Sequence, residues 1–219
     1  MIYMLDTANV EEIKKAINLY PIQAVTTNPS IIAKENKDFF EILKEIREVV
    51  GNDVTIHAQV IGKTAEEMIS EAREIRKSVA GSLYIKIPAT TQGIKAIRIL
   101  SAENFNLTAT AIITPQQALM AATAGAEFLA PYINRIDNIC GDGVKVVEDI
   151  IRLLEVTGNE KAKVVGASFK SVNQVHQTIL AGAKAITVNL DILEKLVYHP
   201  LTEISIENFI LDWEKAYNK

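Results

Sequence analysis

A lysine interrupts a short apolar segment at a position suited to covalent chemistry. Lys86 lies between Ile85 and Ile87 in a predicted strand at 83–87. Strand side chains alternate between two faces, so Lys86 faces away from both isoleucines. Desolvation of such an amine favours its neutral form, and a neutral amine is the nucleophile that forms a Schiff base with a ketone. The alternative is that Lys86 reaches solvent or pairs with Asp6.

Polar residues also stand at the carboxyl ends of most other predicted strands. They include Asp6, Thr26, Asn28, Gln59, Thr110 and Tyr132. Asp6 either caps the following helix, pairs with a lysine, or acts as a general acid or base. Gln59 is either a satisfied interior amide or a group that positions a water or a substrate hydroxyl. Thr110 and Tyr132 carry hydroxyls that could hold that water or move a proton, although an isolated tyrosine there is more often a packing residue.

Two further residues suggest a site for an anion. Arg135 follows the sixth predicted strand, and its guanidinium can bind a phosphate through two parallel hydrogen bonds. Ser168 follows the small residues Gly166 and Ala167, which let a ligand approach the backbone. The alternative for Arg135 is a salt bridge to Asp137.

The elements that must position these side chains alternate between strand and helix. Predicted strands lie at 2–5, 23–26, 54–60, 83–87, 107–112, 128–132, 163–167 and 185–188. Amphipathic helices follow them, and Thr64 with Glu67 forms a capping box at the start of the third. Such alternation is typical of a parallel sheet with helical crossovers. A last helical segment at 204–217 carries Trp213.

Eight strand–helix units in 219 residues favour a closed (β/α)8 barrel, the TIM barrel, over an open doubly wound sheet. The open sheet usually carries a glycine-rich phosphate loop after its first strand, whereas residues 6–9 contain no glycine. We therefore expect one α/β domain over 1–219, with 201–219 as an extra C-terminal helix. In such a barrel the catalytic residues gather at the carboxyl ends of the strands.

Composition and motifs exclude several classes of function. The net charge is −4 and the basic residues are dispersed, so no nucleic-acid footprint is expected. The single cysteine, Cys140, fits a reducing cytoplasm, and we expect neither a signal peptide nor a membrane segment. The three histidines are far apart and lack the spacing of metal ligands, and no P-loop is present. We expect no metal and no cofactor.

The chain resembles the small transaldolase and fructose-6-phosphate aldolase family over essentially its whole length. The segments that carry the resemblance are 5–9 (LDTAN), 25–30 (VTTNPS), 85–88 (IKIP), 130–137 (APYINRID), 167–170 (ASFK), and Phe209 with 212–213 (DW). The resemblance implies a class I mechanism in which Lys86 forms the Schiff base. It also implies sugar phosphates as substrates and a homopentamer or homodecamer in which the C-terminal helix reaches a neighbouring subunit.

The resemblance further implies a role for each candidate residue. Asp6 and Asn28 would contact the donor hydroxyls and the lysine, and Thr26 would bind substrate. Gln59, Thr110 and Tyr132 would hold the water that relays a proton. Arg135 and Ser168 would bind the phosphate of the acceptor.

Gln59 and Tyr132 favour one activity within the family. Members of the aldolase type resemble one another in carrying Gln and Tyr at these positions, whereas transaldolases carry Glu and often Phe. We therefore expect an aldolase that cleaves fructose 6-phosphate to dihydroxyacetone and glyceraldehyde 3-phosphate, with transaldolase as the alternative. Two departures from the family pattern, Asn189 and Thr108 with Ala109, lie near the site. A non-catalytic phosphosugar-binding barrel and a metal-dependent lyase are more remote alternatives.

Overall fold

Eight parallel strands close into a barrel in the computed structural model, which describes residues 1–217. The strands are β1 (Ile2–Asp6), β2 (Ala24–Thr26), β3 (Thr55–Gln59), β4 (Leu83–Pro88), β5 (Leu107–Ile112), β6 (Phe128–Pro131), β7 (Lys163–Gly166) and β8 (Ala185–Val188). Each strand pairs with the next, and β1 also pairs with β8. The predicted (β/α)8 barrel is confirmed, because an open sheet would leave β1 and β8 unpaired with each other.

The helices follow the strands in chain order. They are α1 (Val10–Leu19), α2 (Pro29–Ile32), α3 (Phe39–Val50), α4 (Ala65–Ser78), α5 (Thr91–Ala102), α6 (Pro115–Ala124), α7 (Ile133–Asp137), α8 (Gly143–Val156), α9 (Val172–Leu180), α10 (Leu190–Val197) and α11 (Pro200–Tyr217). Local chemistry starts several of them: Thr64 and Glu67 form the predicted capping box of α4. No helix within residues 1–217 is long and apolar enough to cross a membrane.

The predicted elements differ from the observed ones mainly at their ends. The short helices α2 and α7 lie just after predicted strands, where no separate helix is predicted, because four or five residues are too few to show helical periodicity. The last helix begins at Pro200, one residue before the C-terminal helix expected at 201–219 and four before the helical pattern at 204–217. Residues 218–219, which belong to the predicted C-terminal helix, lie outside the described residues.

Strand alternation separates the core from the lumen. Ile56, Ala58, Ile85 and Ile87 point outward and pack in the large core shared with the helices. A second, smaller cluster fills the lower lumen and consists of Met4, Ala24, Phe128, Ala130, Val165, Ala167 and Ala185. Because these side chains close the lumen from below, open space remains at the carboxyl ends of the strands.

Two residues at those carboxyl ends have a left-handed backbone that is uncommon outside glycine. Ala111 has a φ of 57° and Ser168 a φ of 63°. Ala111 lies where the pairing register of β5 and β6 shifts, between Ala109 and Ile112. Such bulges redirect the neighbouring side chains and are frequent beside active sites. Both residues line a cavity at the carboxyl ends of the strands.

Candidate active site

One cavity of about 480 Å³ opens at the carboxyl ends of the barrel strands. It is lined by all nine residues that the sequence predicts for the site: Asp6, Thr26, Asn28, Gln59, Lys86, Thr110, Tyr132, Arg135 and Ser168. These residues come from seven of the eight strands or the loops that follow them. The barrel therefore brings together side chains that are up to 162 positions apart in the chain, Asp6 and Ser168.

Lys86 points into the lumen, with Ile85 and Ile87 on the opposite face of β4. Its side chain is buried, and its Nζ donates a hydrogen bond of 2.7 Å to the carbonyl oxygen of Thr27. Within residues 1–217 it forms no salt bridge, so the alternative of an ion pair with Asp6 is wrong. Burial lowers the pKa of the Lys86 amine, and the charge of Asp6 partly opposes that shift. The amine therefore loses its proton more readily than an exposed lysine.

We expect Asp6→Asn to move the pH dependence of Schiff-base formation at Lys86. The Asp6 carboxylate raises the pKa of the amine, so removing its charge lowers that pKa further. The acid limb of the rate of borohydride trapping with dihydroxyacetone then moves to lower pH. Asn retains the size of Asp, so a limb that stays in place or moves to higher pH would show that Asp6 does not act on the amine through its charge.

The hydroxyls of Thr187 and Thr26 form a chain of hydrogen bonds that ends at the Asp6 carboxylate. The Thr26 hydroxyl donates to Asp6 Oδ1 at 2.7 Å and lies 2.6 Å from the hydroxyl of Thr187. A carboxylate accepts but cannot donate, so the proton of Thr26 points to Asp6 and Thr187 donates to Thr26. Asn9, not Asp6, caps α1, so the helix-capping alternative for Asp6 is wrong. The sequence did not predict Thr187 as a site residue, because a threonine within a short apolar strand is common and carries no distinctive signal.

Gln59, Thr110 and Tyr132 form the polar wall of the cavity. The hydroxyls of Thr110 and Tyr132 lie 3.0 Å apart. The side-chain oxygen of Gln59 is buried and has no hydrogen-bond partner among residues 1–217. Buried polar atoms are nearly always partnered by protein or water. This wall is therefore built to bind a small polar group.

Asn28 and Asn189 face the cavity from two helix starts. Asn28 caps α2 by accepting a hydrogen bond from the amide of Ile31, and Asn189 caps α10 by accepting from Ile192. Capping uses the side-chain oxygen, and the side-chain NH₂ of each asparagine can donate to a ligand. The departure at Asn189 is thus explained in part by a structural role.

The rim of the cavity is cationic. Arg135 lies over the ring of Tyr132, 4.7 Å from its centroid. Asp137 accepts instead from the amide of Gly143 and from Gln174, so the alternative of an Arg135–Asp137 salt bridge is wrong. Lys34 and Lys170 also line the cavity, and Asp6 is the one carboxylate among the described lining residues. A rim of this charge attracts phosphate.

Neither rim lysine was predicted from the sequence. Lys170 lies two residues beyond Ser168, and its proximity along the chain is a usable signal. Lys34 lies in a one-turn 3₁₀ helix, Ala33–Glu35, that follows α2, and nothing in the local pattern distinguishes it from a surface lysine. Within the described part of the chain, no group of three or more His, Cys, Asp and Glu residues is placed to hold a metal ion.

His57 lies in the lumen below Gln59 on the same face of β3. Its ring is 1% exposed, and its Nδ1 lies 2.9 Å from the hydroxyl of Thr108. Burial, together with the nearby charge of Lys86, lowers the pKa of His57 to about 3. The ring is therefore neutral at physiological pH.

The lowered pKa of His57 predicts a loss of stability in mild acid. The unfolded histidine takes up a proton below its ordinary pKa of 6.5, whereas the folded one does so near 3. Stability is thus fully present above 6.5 and is lost as the pH falls toward 3, by about 2 kcal/mol at about pH 5. We expect urea unfolding of His57→Phe to lack this part of the pH dependence. Equal slopes for both proteins would contradict a neutral buried imidazole.

Comparisons with known proteins point to one family. Residues 3–219 match the family model described as Transaldolase/Fructose-6-phosphate aldolase. The chain is 42% identical to a "Probable transaldolase" of Clostridium acetobutylicum, with 98% of each chain covered. It is 43% identical to a protein of the same name from Exiguobacterium sibiricum (99% of each) and 44% identical to one from a Thermoanaerobacter species (99% of this chain, 98% of the relative).

The relatives' names favour transaldolase, the alternative in the sequence analysis, over the aldolase expected first. Both activities use class I chemistry, which proceeds through a Schiff base, and the chain is an enzyme of this class. The match of nearly every residue to one family model shows that the chain belongs to the transaldolase/fructose-6-phosphate aldolase family.

Proposed function

We propose that this enzyme is a transaldolase, which moves a dihydroxyacetone unit from a ketose phosphate to an aldose phosphate. The observation that carries the proposal is a buried lysine, Lys86, that has no ion pair among residues 1–217 and lies inside a cavity whose rim is cationic. The names of the full-length relatives support transfer as the main activity.

The covalent steps follow from the placement of the side chains. The neutral amine of Lys86 attacks the ketone carbon of the donor, and loss of water gives the Schiff base. Asp6, held by Thr26, takes the proton of the hydroxyl on the carbon beyond the scissile bond. The carbon–carbon bond then breaks, its electron pair forms an enamine on Lys86, and the first aldehyde leaves. The enamine attacks the second aldehyde, whose oxygen takes the proton back from Asp6. Water then hydrolyses the new Schiff base, which releases the ketose and regenerates the Lys86 amine.

The rim and the polar wall perform different tasks in this scheme. Arg135, Ser168 and Lys170 bind the phosphate of the leaving and the incoming aldehyde. Asn28 donates to a hydroxyl of the three-carbon unit. Gln59, Thr110 and Tyr132 hold the water that carries protons during formation and hydrolysis of the Schiff base. The protonated Schiff base on Lys86 accepts the electron pair of the breaking bond, so we propose that no metal or organic cofactor takes part.

A second candidate is the fructose-6-phosphate aldolase reaction, which Tyr132 favours. Its hydroxyl lies 3.0 Å from that of Thr110 and within the cavity that holds Lys86. A phenol at this place can protonate the enamine through the bound water and release free dihydroxyacetone. A transaldolase must instead keep the enamine until the second aldehyde arrives.

The partition between release and transfer separates the two activities. With fructose 6-phosphate as donor, free dihydroxyacetone measures release, and product from erythrose 4-phosphate measures transfer. We expect Tyr132→Phe to lower the release-to-transfer ratio roughly tenfold or more, because it removes the proton donor. Tyr84→Phe, which changes a tyrosine outside the cavity lining, is the matched control. An unchanged ratio would show that the Tyr132 hydroxyl has no part in releasing the donor.

Borohydride trapping tests the covalent step common to both candidates. Reduction in the presence of dihydroxyacetone should leave one adduct, and mass analysis of the modified peptide should place it on Lys86. An adduct on another lysine, or none, would overturn the proposal. A non-catalytic phosphosugar-binding barrel would give no adduct and no turnover.

We also propose that residues 1–219 form one domain that assembles into a cytoplasmic homopentamer or homodecamer. Helix α11 has no buried residue, and it exposes Leu201, Ile204, Ile206, Phe209, Ile210, Leu211, Trp213 and Tyr217. Eight exposed apolar and aromatic side chains on one helix of an isolated chain mark an interface. Mass photometry of the full chain and of Phe209→Glu tests the assembly: a monomer in both would contradict it.

A further inference from the structure

The orientation of the His57 ring in the barrel floor is fixed by three neighbours. Nδ1 lies 2.9 Å from the Thr108 hydroxyl. One face stacks on Tyr84, with ring centroids 4.9 Å apart and planes 12° from parallel. Phe128 makes an edge-to-face contact with the same ring, with the two centroids 5.5 Å apart. These contacts determine where the remaining ring nitrogen points.

That remaining nitrogen, Nε2, is buried and has no hydrogen-bond partner among residues 1–217. His57 also lines the cavity, whereas Tyr84 and Phe128 do not. An unpartnered buried polar atom costs stability, and such atoms usually meet a ligand or an ordered water. A polar group bound beside His57 in the cavity would supply the partner that this nitrogen lacks.

Strand register places His57 and Thr108 below the amine of Lys86. Lys86 pairs with Gln59 on one side and with Thr108 on the other. His57 is two residues before Gln59 on the same face of β3, so the His57–Thr108 hydrogen bond crosses the lumen below Lys86. A ketone joined to Lys86 has two terminal carbons, and one directed toward the amino ends of the strands would lie beside this floor.

The neutral His57 ring carries its proton on either Nδ1 or Nε2, and the hydrogen bond to Thr108 favours Nε2. If Thr108 donates to Nδ1, the neutral ring carries its proton on Nε2, and one donor remains without a partner. If Nδ1 donates to Thr108 instead, the Thr108 proton and the Nε2 lone pair both remain without partners. The first arrangement leaves fewer buried groups unsatisfied and is therefore favoured. Nε2 thus offers an N–H to an oxygen in the cavity.

We propose that His57, held by Thr108, is a specificity-determining residue that donates to one terminal hydroxyl of the ketone on Lys86. It selects dihydroxyacetone over its deoxy analogue hydroxyacetone. The inference rests on the proposed function, because it needs a ketone bound to Lys86. A site that is built to hydrogen-bond a hydroxyl discriminates against the analogue without it, since the protein donor is then left unpaired.

Borohydride trapping with the two ketones measures this preference in either activity. The concentration of each ketone that gives half-maximal adduct formation is determined, and the ratio of the two concentrations is compared between variants. His57→Phe keeps an aromatic ring against Tyr84 and removes the N–H. We expect it to reduce the preference for dihydroxyacetone roughly tenfold, whereas the same change at an exposed residue of α9, His176→Phe, leaves the preference unchanged.

A second variant and a measurement on the wild type keep the inference testable if His57→Phe does not fold. Thr108→Val has nearly the same shape and frees the ring, so it should reduce the preference by a smaller factor than His57→Phe. In the wild type, trapping of dihydroxyacetone should shift the ¹⁵N resonance of His57 Nε2, and trapping of hydroxyacetone should shift it less. An unchanged preference in folded variants, or equal ¹⁵N shifts, would overturn the inference. Failure of the wild type to form any adduct would overturn the proposed function instead.

Discussion

Lys86→Met abolishes the covalent chemistry and, we expect, stabilises the fold. Met is close to Lys in length but has no amine, so no adduct should form with dihydroxyacetone. Turnover of fructose 6-phosphate should fall by at least about three orders of magnitude, because the remaining groups bind substrate without a nucleophile. Mass analysis after borohydride treatment and a coupled assay for glyceraldehyde 3-phosphate measure the two effects.

The expected gain in stability follows from the pKa of the amine. Burial lowers the pKa of Lys86 in the folded protein below the ordinary value of 10.5. Below pH 10.5 the unfolded chain binds this proton more tightly than the folded chain does, so protonation of Lys86 favours the unfolded chain. Methionine removes that cost, and thermal unfolding at neutral pH should therefore give a higher Tm for Lys86→Met.

Lys77→Met is the matched control, because Lys77 is exposed on α4. It should leave turnover, adduct formation and Tm nearly as in the wild type. A Lys86→Met protein that still forms the adduct would assign the Schiff base to another lysine. A lower Tm would show that the amine is stabilised in the lumen, and the argument from its burial would be wrong.

Strand alternation was the part of the sequence that predicted most about the site. The pattern around Ile85, Lys86 and Ile87 has a period of two, and no other conformation places a lysine so clearly opposite two apolar side chains. The barrel follows from counting such segments, since eight strand–helix units leave few other closed architectures. Residues at strand ends then converge because the strands are parallel, and all nine predicted residues line one cavity.

Contacts between distant strands could not be predicted, because they depend on register and tilt. Thr187 joins Thr26 across 161 positions, and the hydroxyl of Thr108 reaches His57 across 51. Neither partner is distinctive in its own segment. The left-handed backbone at Ala111 and Ser168 likewise follows from how neighbouring strands meet. Both residues are of types that local rules would place in ordinary extended conformations.

Removal of Arg135 is expected to have the second largest effect on activity, and the effect should depend on phosphate. Arg135 lies at the cationic rim, stacked on Tyr132 and not paired with Asp137. Charge-assisted hydrogen bonds to phosphate contribute a few kcal/mol, so Arg135→Ala should raise KM for phosphorylated aldehydes about 100-fold. Trapping of dihydroxyacetone, which carries no phosphate, should change little.

Three comparisons make this prediction specific to the guanidinium. Arg135→Lys retains the charge but loses the paired N–H donors of the guanidinium. Its KM should therefore lie between those of the wild type and Arg135→Ala. Arg98→Ala removes an exposed arginine of α5 and controls for net charge. Added salt should narrow the difference between Arg135→Ala and the wild type, because an exposed ion pair is screened. If KM for phosphorylated and unphosphorylated aldehydes rises by the same factor, Arg135 positions the cavity wall through Tyr132, and the phosphate is bound by Ser168 and the rim lysines instead.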